Sequence, residues 1–273
     1  LTTEDLVARA RTAAANLPTK AGGAEPIEAI VGDAQFAPSA VRRIEVDTEL
    51  TAIPLALAQG GRGMPNAGCT SGFGAYVWGT DPSIQANRRL TTAGHCGDTS
   101  PDYVSPLSVS VQWLREEIPG SASNMDVQWY RLSNASIDSI SNVIWAGSSI
   151  RDIQAQYTWS QIVYGEYVCK NGMSTGYTCG TIVDKYDVLC TWHKFQWICL
   201  NYFVVVTASD PNSLLAEHGD SGGPVFLGYL AYGQVSYSQN YWARPNNQSG
   251  YYKYAYWPIN RLSIGGLVLL TTP

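Results

Sequence analysis

Gly219-Asp220-Ser221-Gly222-Gly223-Pro224 sets a serine inside a turn rich in glycine. A serine hydroxyl is a weak nucleophile until a base takes its proton, and the base must itself be oriented by a carboxylate. The chain has only 3 histidines, so the base has few candidates. One of them, His95, lies in Thr91-Thr92-Ala93-Gly94-His95-Cys96. A carboxylate, Asp126, stands at the head of the apolar strand-like stretch Asp126-Val127-Gln128-Trp129-Tyr130-Arg131. Residues 219–223 also satisfy G-x-S-x-G, the nucleophile elbow, but that topology places its histidine after its serine. No histidine follows His218. An order of aspartate, histidine, serine needs an aspartate before His95; Asp33 and Asp47 do precede it, but neither has a strongly motif-like setting. The order left is His95, Asp126, Ser221.

The 273 residues suffice for one large domain or two small ones around a sizeable core. Lys and Arg number 17 against 22 Asp and Glu, a net charge of -5, which suits neither nucleic acid nor an anionic membrane. Charged residues make up 14%, against roughly 25% in ordinary soluble domains. Gly (26), Tyr (17) and Trp (9) are plentiful, the texture of exported β-proteins with a neutral polar surface. No apolar run of about 18 residues occurs, so no spanning helix is expected. The sequence begins at Leu1 without a signal-like segment, and a processed N-terminus is expected. Six cysteines in such a chain point to disulfides and an oxidising, extracellular compartment, their pairing open at this stage.

Three textures follow one another. Residues 1–66 hold the helical signal: Thr2 as a cap, Leu6, Ala10, Ala13 and Leu17 on one face, and Pro18 as the stop. Residues 59–68 read as a loop or linker. From Cys69 onward short strands alternate with Gly, Pro, Asn and Ser, at 73–78, 89–92, 108–114, 127–131, 162–167, 180–183, 202–207, 225–227 and 230–236. Pro258 is read as the start of a short helix closed by Gly265 and Gly266.

Residues 69–270 resemble the chymotrypsin-like serine peptidases, most closely the bacterial streptogrisin and α-lytic protease group. The resemblance is carried by Thr92-Ala93-Gly94-His95-Cys96, Asp126 with Arg131, Val168-Cys169-Lys170-Asn171-Gly172, the stretch from Thr175-Gly176-Tyr177 to Thr181-Ile182, and Gly219 to Pro224. It implies an all-β fold of two perpendicular six-stranded antiparallel barrels with a short C-terminal helix. The barrels would span 67–155 and 156–273, after a partly helical extension or pro-remnant over 1–66. It implies a secreted endopeptidase, made as a zymogen, acting on polypeptides and using no metal or cofactor. A monomer is expected, without nucleic-acid or membrane partners and with its own pro-region as a possible partner.

The same resemblance implies roles for individual residues. His95, Asp126 and Ser221 would be catalytic, and the backbone N–H groups of Gly219 and Ser221 would form the oxyanion hole. Asp220 would be a buried anion paired to Lys170, where the family usually has Arg. Ser236, Tyr237 and Ser238 would form the strand that pairs with extended substrate, Ser236 also reaching Asp126. Leu215 and Ala216 would floor the pocket for the residue before the scissile bond, with His218 on its rim. That floor carries no aspartate, so large apolar or aromatic residues are expected there. The alternatives are acidic specificity through Ser238 and His218, and a non-catalytic binding homologue on the same fold. The implied disulfides are Cys69–Cys96 and Cys169–Cys179; Cys190–Cys199 is expected to close a hairpin that is a local addition to the family pattern. A metal site at Cys190, His193 and Cys199 lacks a fourth ligand. Asn134 and Asn247 head sequons that matter only in a eukaryotic host.

Overall fold

In a computed structural model the described residues are 56–96, 103–104, 110–111, 113–116, 126–132, 135, 138–193, 196–239, 242–245 and 248–272. The expected helix over 2–17, residues 108, 109 and 112 of the strand expected at 108–114, and Asn134 and Asn247 lie outside them. No helix among the described residues is long and apolar enough to cross a membrane.

The first half is built from β1 (Ala56–Gly60), β2 (Gly74–Val77), β3 (Arg88–Thr92), β4 (Trp113–Glu116), β5 (Gln128–Leu132), β6 (Asp138–Ala146) and β7 (Ser149–Asp152). The second half holds β8 (Tyr167–Gly172), β9 (Gly176–His193), β10 (Gln196–Thr207), β11 (Pro224–Leu227), β12 (Leu230–Tyr237) and β13 (Lys253–Pro258). A 3₁₀ turn, Ile259–Gly265, then leads to β14 (Leu267–Leu269). That turn starts after Pro258 and ends on Gly266 in the left-handed region, as the Pro and Gly signals suggested.

Strands β12, β11, β8, β9, β10 and β13 pair antiparallel in that order, and β13 pairs back onto β12, which closes the second barrel. Closure leaves no free edge between these strands. The first half is laid out as a five-stranded sheet, β14-β2-β3-β5-β4, and a three-stranded sheet, β1-β6-β7. Strand β1 runs parallel to β6, so the folded sheets begin upstream of residue 67, inside the stretch read as an extension. Strand β14 crosses back from the second half to pair with β2.

Val168, Ile182, Val204, Val206 and Val225 fill the second barrel together with the rings of Tyr232, Tyr254 and Tyr256. Another cluster joins the halves: Phe73, Trp129 and Ile144 from the first pack with Phe203, Phe226 and Trp257 from the second. Each large side chain of this kind contributes about 1.5–3 kcal/mol on leaving water. The cysteines pair Cys69–Cys96, Cys169–Cys179 and Cys190–Cys199. The last two pairs sit opposite one another in the strand registers β8–β9 and β9–β10. Closing short loops of this kind is worth roughly 2–3 kcal/mol each through the unfolded chain.

Candidate active site

Antiparallel pairing of β3 with β5 sets Thr92 opposite Gln128. The end of β3 and the start of β5 therefore share one edge, which places His95 just beyond the first beside Asp126 just before the second. Cys96, bonded to Cys69, holds the turn that carries His95. Asp126 is buried, and His95 is half exposed. The carboxylate accepts the His95 backbone N–H at 3.0 Å and faces the ring Nδ1 with both oxygens at 3.0 Å. Its Oδ2 also accepts the Ser236 hydroxyl.

Ser221 comes from the second half, in the turn before β11. Its Oγ lies 2.9 Å from His95 Nε2 and 3.4 Å from the Ser236 carbonyl. Backbone bonds from Thr70 N–H to the Ser221 carbonyl (2.8 Å) and from Gly222 N–H to the Val235 carbonyl (2.7 Å) fix the turn. Gly222 has φ +86, and a Cβ there would run into the Thr92 hydroxyl and the Thr70 carbonyl. Only glycine permits this close seam between the halves.

Charge sets the titration of the pair. The Asp126 carboxylate raises the His95 imidazole above its ordinary value; burial opposes this, and the hydrogen bond to Asp126 adds to it. Burial acts to raise the Asp126 carboxyl, but His95 and the hydrogen bonds from His95 and Ser236 outweigh it and hold it low.

Asp220 points the other way, into the interior. It and Lys170 are fully buried, with Nζ 2.9 Å from Oδ2. Oδ1 accepts the backbone N–H groups of Ser174 and Thr175, each at 3.0 Å. Oδ2 also takes the Thr175 hydroxyl at 2.6 Å and the Glu217 N–H at 3.1 Å. Burial pushes the Lys170 ammonium down from its ordinary value, while Asp220 pulls it back. The Ser174 hydroxyl donates to the His218 carbonyl. In a trans peptide that turns the Gly219 N–H to the opposite side. The N–H groups of Gly219 and Ser221 donate to no acceptor among the described residues.

Leu215 and Ala216 are buried with Val235 and Tyr254 in the second barrel's core, and both their N–H groups donate to the Tyr251 carbonyl. His218 is exposed, its Nε2 3.2 Å from the Tyr251 hydroxyl. Ser238 donates to the Lys253 carbonyl at 3.0 Å. The sequence reading missed Thr70, Ser174, Thr175 and Tyr251, which brace these groups. Thr175 alone had a signal, since it opens one of the quoted motifs. Among the described residues no group of His, Cys, Asp and Glu is placed to hold a metal ion.

Neither a protein-family model nor a curated protein sequence matches the chain. Solved structures do. Protease A of Thermobifida fusca is 26% identical, with a TM-score of 0.55 over 79% of this chain and 100% of its own. The chain is a serine protease of the chymotrypsin-like fold. A chymotrypsin of Cellulomonas bogoriensis shares the fold at 21% identity, with a TM-score of 0.55 over 79% of this chain and 100% of its own. So does a glutamic acid specific serine protease described as using a novel histidine triad in substrate binding. That one is 23% identical, with a TM-score of 0.55 over 78% of this chain and 100% of its own.

Proposed function

We propose that this serine protease is an exported endopeptidase whose catalytic groups are Ser221, His95 and Asp126. The observation that carries the reading is His95 itself, held at 3.0 Å from Asp126 on one ring nitrogen and 2.9 Å from Ser221 on the other. Ser221 Oγ attacks the scissile carbonyl while its proton passes to His95 Nε2. The developing oxyanion is received by the N–H groups of Gly219 and Ser221. The tetrahedral intermediate collapses, His95 gives its proton to the leaving amine, and an acyl-enzyme remains. Water, deprotonated by His95, then hydrolyses the ester. Asp126 accepts from Nδ1–H, which fixes the tautomer and stabilises the imidazolium. The disulfides and the polypeptide substrates both suit an extracellular setting. The residues upstream of β1 are read as an extension or a remnant of a pro-region.

A serine-directed phosphonylating probe tests the site. Stoichiometric label on Ser221 supports it, and an unlabelled Ser221 in folded protein refutes it and favours a binding role. The rate of labelling and of peptide hydrolysis should rise with pH, because the base must be neutral. Asp126 raises the His95 pKa, so the midpoint should lie above the ordinary imidazole value of about 6.5. Asp126→Asn should bring it down. A wild-type midpoint below that value would contradict the electrostatic reading.

The pocket floor of Leu215 and Ala216 has no fixed charge. Burying an unpaired Arg or Lys there would cost several kcal/mol, whereas Phe, Tyr or Leu gains by leaving water. Among peptides differing only in the residue before the scissile bond, those with Phe or Leu should be cut faster than those with Arg or Glu. Fastest cleavage of the Glu peptide would overturn this and assign the anion to Ser238, His218 and Tyr251.

A further inference from the structure

The β9–β10 ribbon is far longer than the barrel needs. Strand β9 has 18 residues and β10 has 12, yet β10 pairs with its next neighbour β13 only over Val204–Thr207. Beyond that contact the register of the ribbon breaks on both sides of Asp187, between Asp184 and Asp187 and again between Asp187 and Leu189. Opposite Asp187 stands Phe203, and the residue before it, Tyr202, has φ +72. A left-handed tyrosine is strained, and bulges of this kind bend a strand and re-aim its side chains. The Cys190–Cys199 disulfide clamps the ribbon just beyond the break.

The re-aimed carboxylate has a definite destination. Asp187 Oδ2 accepts the Tyr237 hydroxyl at 2.8 Å. The Tyr237 ring is held edge-on by Phe203, with centroids 4.9 Å apart, and stacks on Trp242 at 5.8 Å. Tyr237 directly follows Ser236, whose hydroxyl reaches Asp126 and whose carbonyl faces the Ser221 hydroxyl. The ribbon and the reacting groups are therefore joined through a single peptide step.

We infer that Asp187 is a positioning residue: through Tyr237 it fixes the wall against which the substrate segment upstream of the scissile bond is held. The inference rests on the endopeptidase reading above. The hydroxyl tie and the two ring contacts leave Tyr237 one orientation, so its face is in place before substrate arrives. Loss of the tie leaves the ring held by its packing contacts alone, so it samples a wider range of orientations, and that added freedom must be surrendered on binding. The effect should fall on KM, and only for substrates long enough to touch the wall.

The test compares a peptide extending several residues upstream of the scissile bond with a single-residue ester sharing the same residue at that bond. Asp187→Ala should raise KM for the peptide about tenfold, leaving kcat and ester hydrolysis unchanged, and Tyr237→Phe should raise KM for the peptide by a similar factor. The double variant should lose no more than either single one. Asp187→Asn, which keeps an oxygen acceptor, should stay within about twofold of wild type. Unchanged KM for the peptide in both single variants, equal losses on peptide and ester, or multiplicative losses in the double variant would overturn the inference. Wild-type protein that cleaves neither substrate overturns the endopeptidase reading first. Wild-type protein that cleaves both, beside an indifferent Asp187→Ala, overturns this inference alone.

Discussion

Ser221→Ala should lose on the order of a millionfold in kcat, and His95→Ala nearly as much. In the proposed mechanism the two groups act as one unit: the hydroxyl is nucleophilic only while Nε2, 2.9 Å away, can take its proton. Removing both should therefore cost little more than removing either. Asp126→Ala should cost roughly ten-thousandfold. It does not touch the reacting carbonyl, but it holds Nδ1 and the His95 backbone N–H together. What remains in each variant should come from substrate binding and the proposed oxyanion donors at Gly219 and Ser221. Steady-state kinetics on one peptide check the series. Near-wild-type turnover by His95→Ala, or losses that multiply in the double variant, would remove the triad assignment.

The second large effect concerns stability and is asymmetric. Asp220→Ala strands the Lys170 ammonium in the interior and deprives the N–H groups of Ser174, Thr175 and Glu217 of their acceptor. Breaking a buried pair this way costs about 3–5 kcal/mol. Lys170→Met leaves Asp220 with those three N–H groups and the Thr175 hydroxyl still donating to it, so it should cost clearly less. Denaturant midpoints of the two variants decide it, and a larger loss for Lys170→Met would contradict the account. Activity should fall with Asp220→Ala in any surviving folded fraction, because Asp220 stands between the two proposed oxyanion donors.

The same electrostatics give opposed pH terms. His95 has a raised pKa, so its contribution to stability is complete below the ordinary imidazole value and is lost as pH rises through the folded-state value. Asp126 has a lowered pKa, so its contribution holds above the ordinary carboxylate value and fades as pH falls through the folded-state value. With His95 as the proposed base, activity should climb over the range where the His95 term declines.

The three residues of the proposed triad stood out in the sequence because each lies in a short, chemically demanding motif. The strand carrying Lys170 did not: the stretch 162–167 was favoured, whereas β8 is Tyr167–Gly172. Lysine and asparagine look like surface residues, yet here both are buried, Lys170 for Asp220 and Asn171 to donate to the Gly61 carbonyl. Strand β13 was missed for a related reason. Its sequence, Lys253-Tyr254-Ala255-Tyr256-Trp257-Pro258, shows no apolar–polar alternation because nearly every residue is buried. Strand β6 carries too many polar residues on its partly exposed positions to stand out. The stretch read as a linker at 59–68 holds the end of β1, where Gly60 lets the backbone approach Gly72. Asp187 gave no signal, since its role comes from a register break that only the paired strands reveal.

Strand β14 returns from the second half to complete the first half's sheet against β2. Neither half can then unravel alone without first surrendering a strand shared with the other, which merges them into one cooperative unit. For an enzyme surrounded by copies of itself this matters, because one molecule can cut another only at backbone that has opened. Self-digestion should accordingly track global unfolding, and shortening the chain before Leu267 should make the enzyme its own preferred substrate.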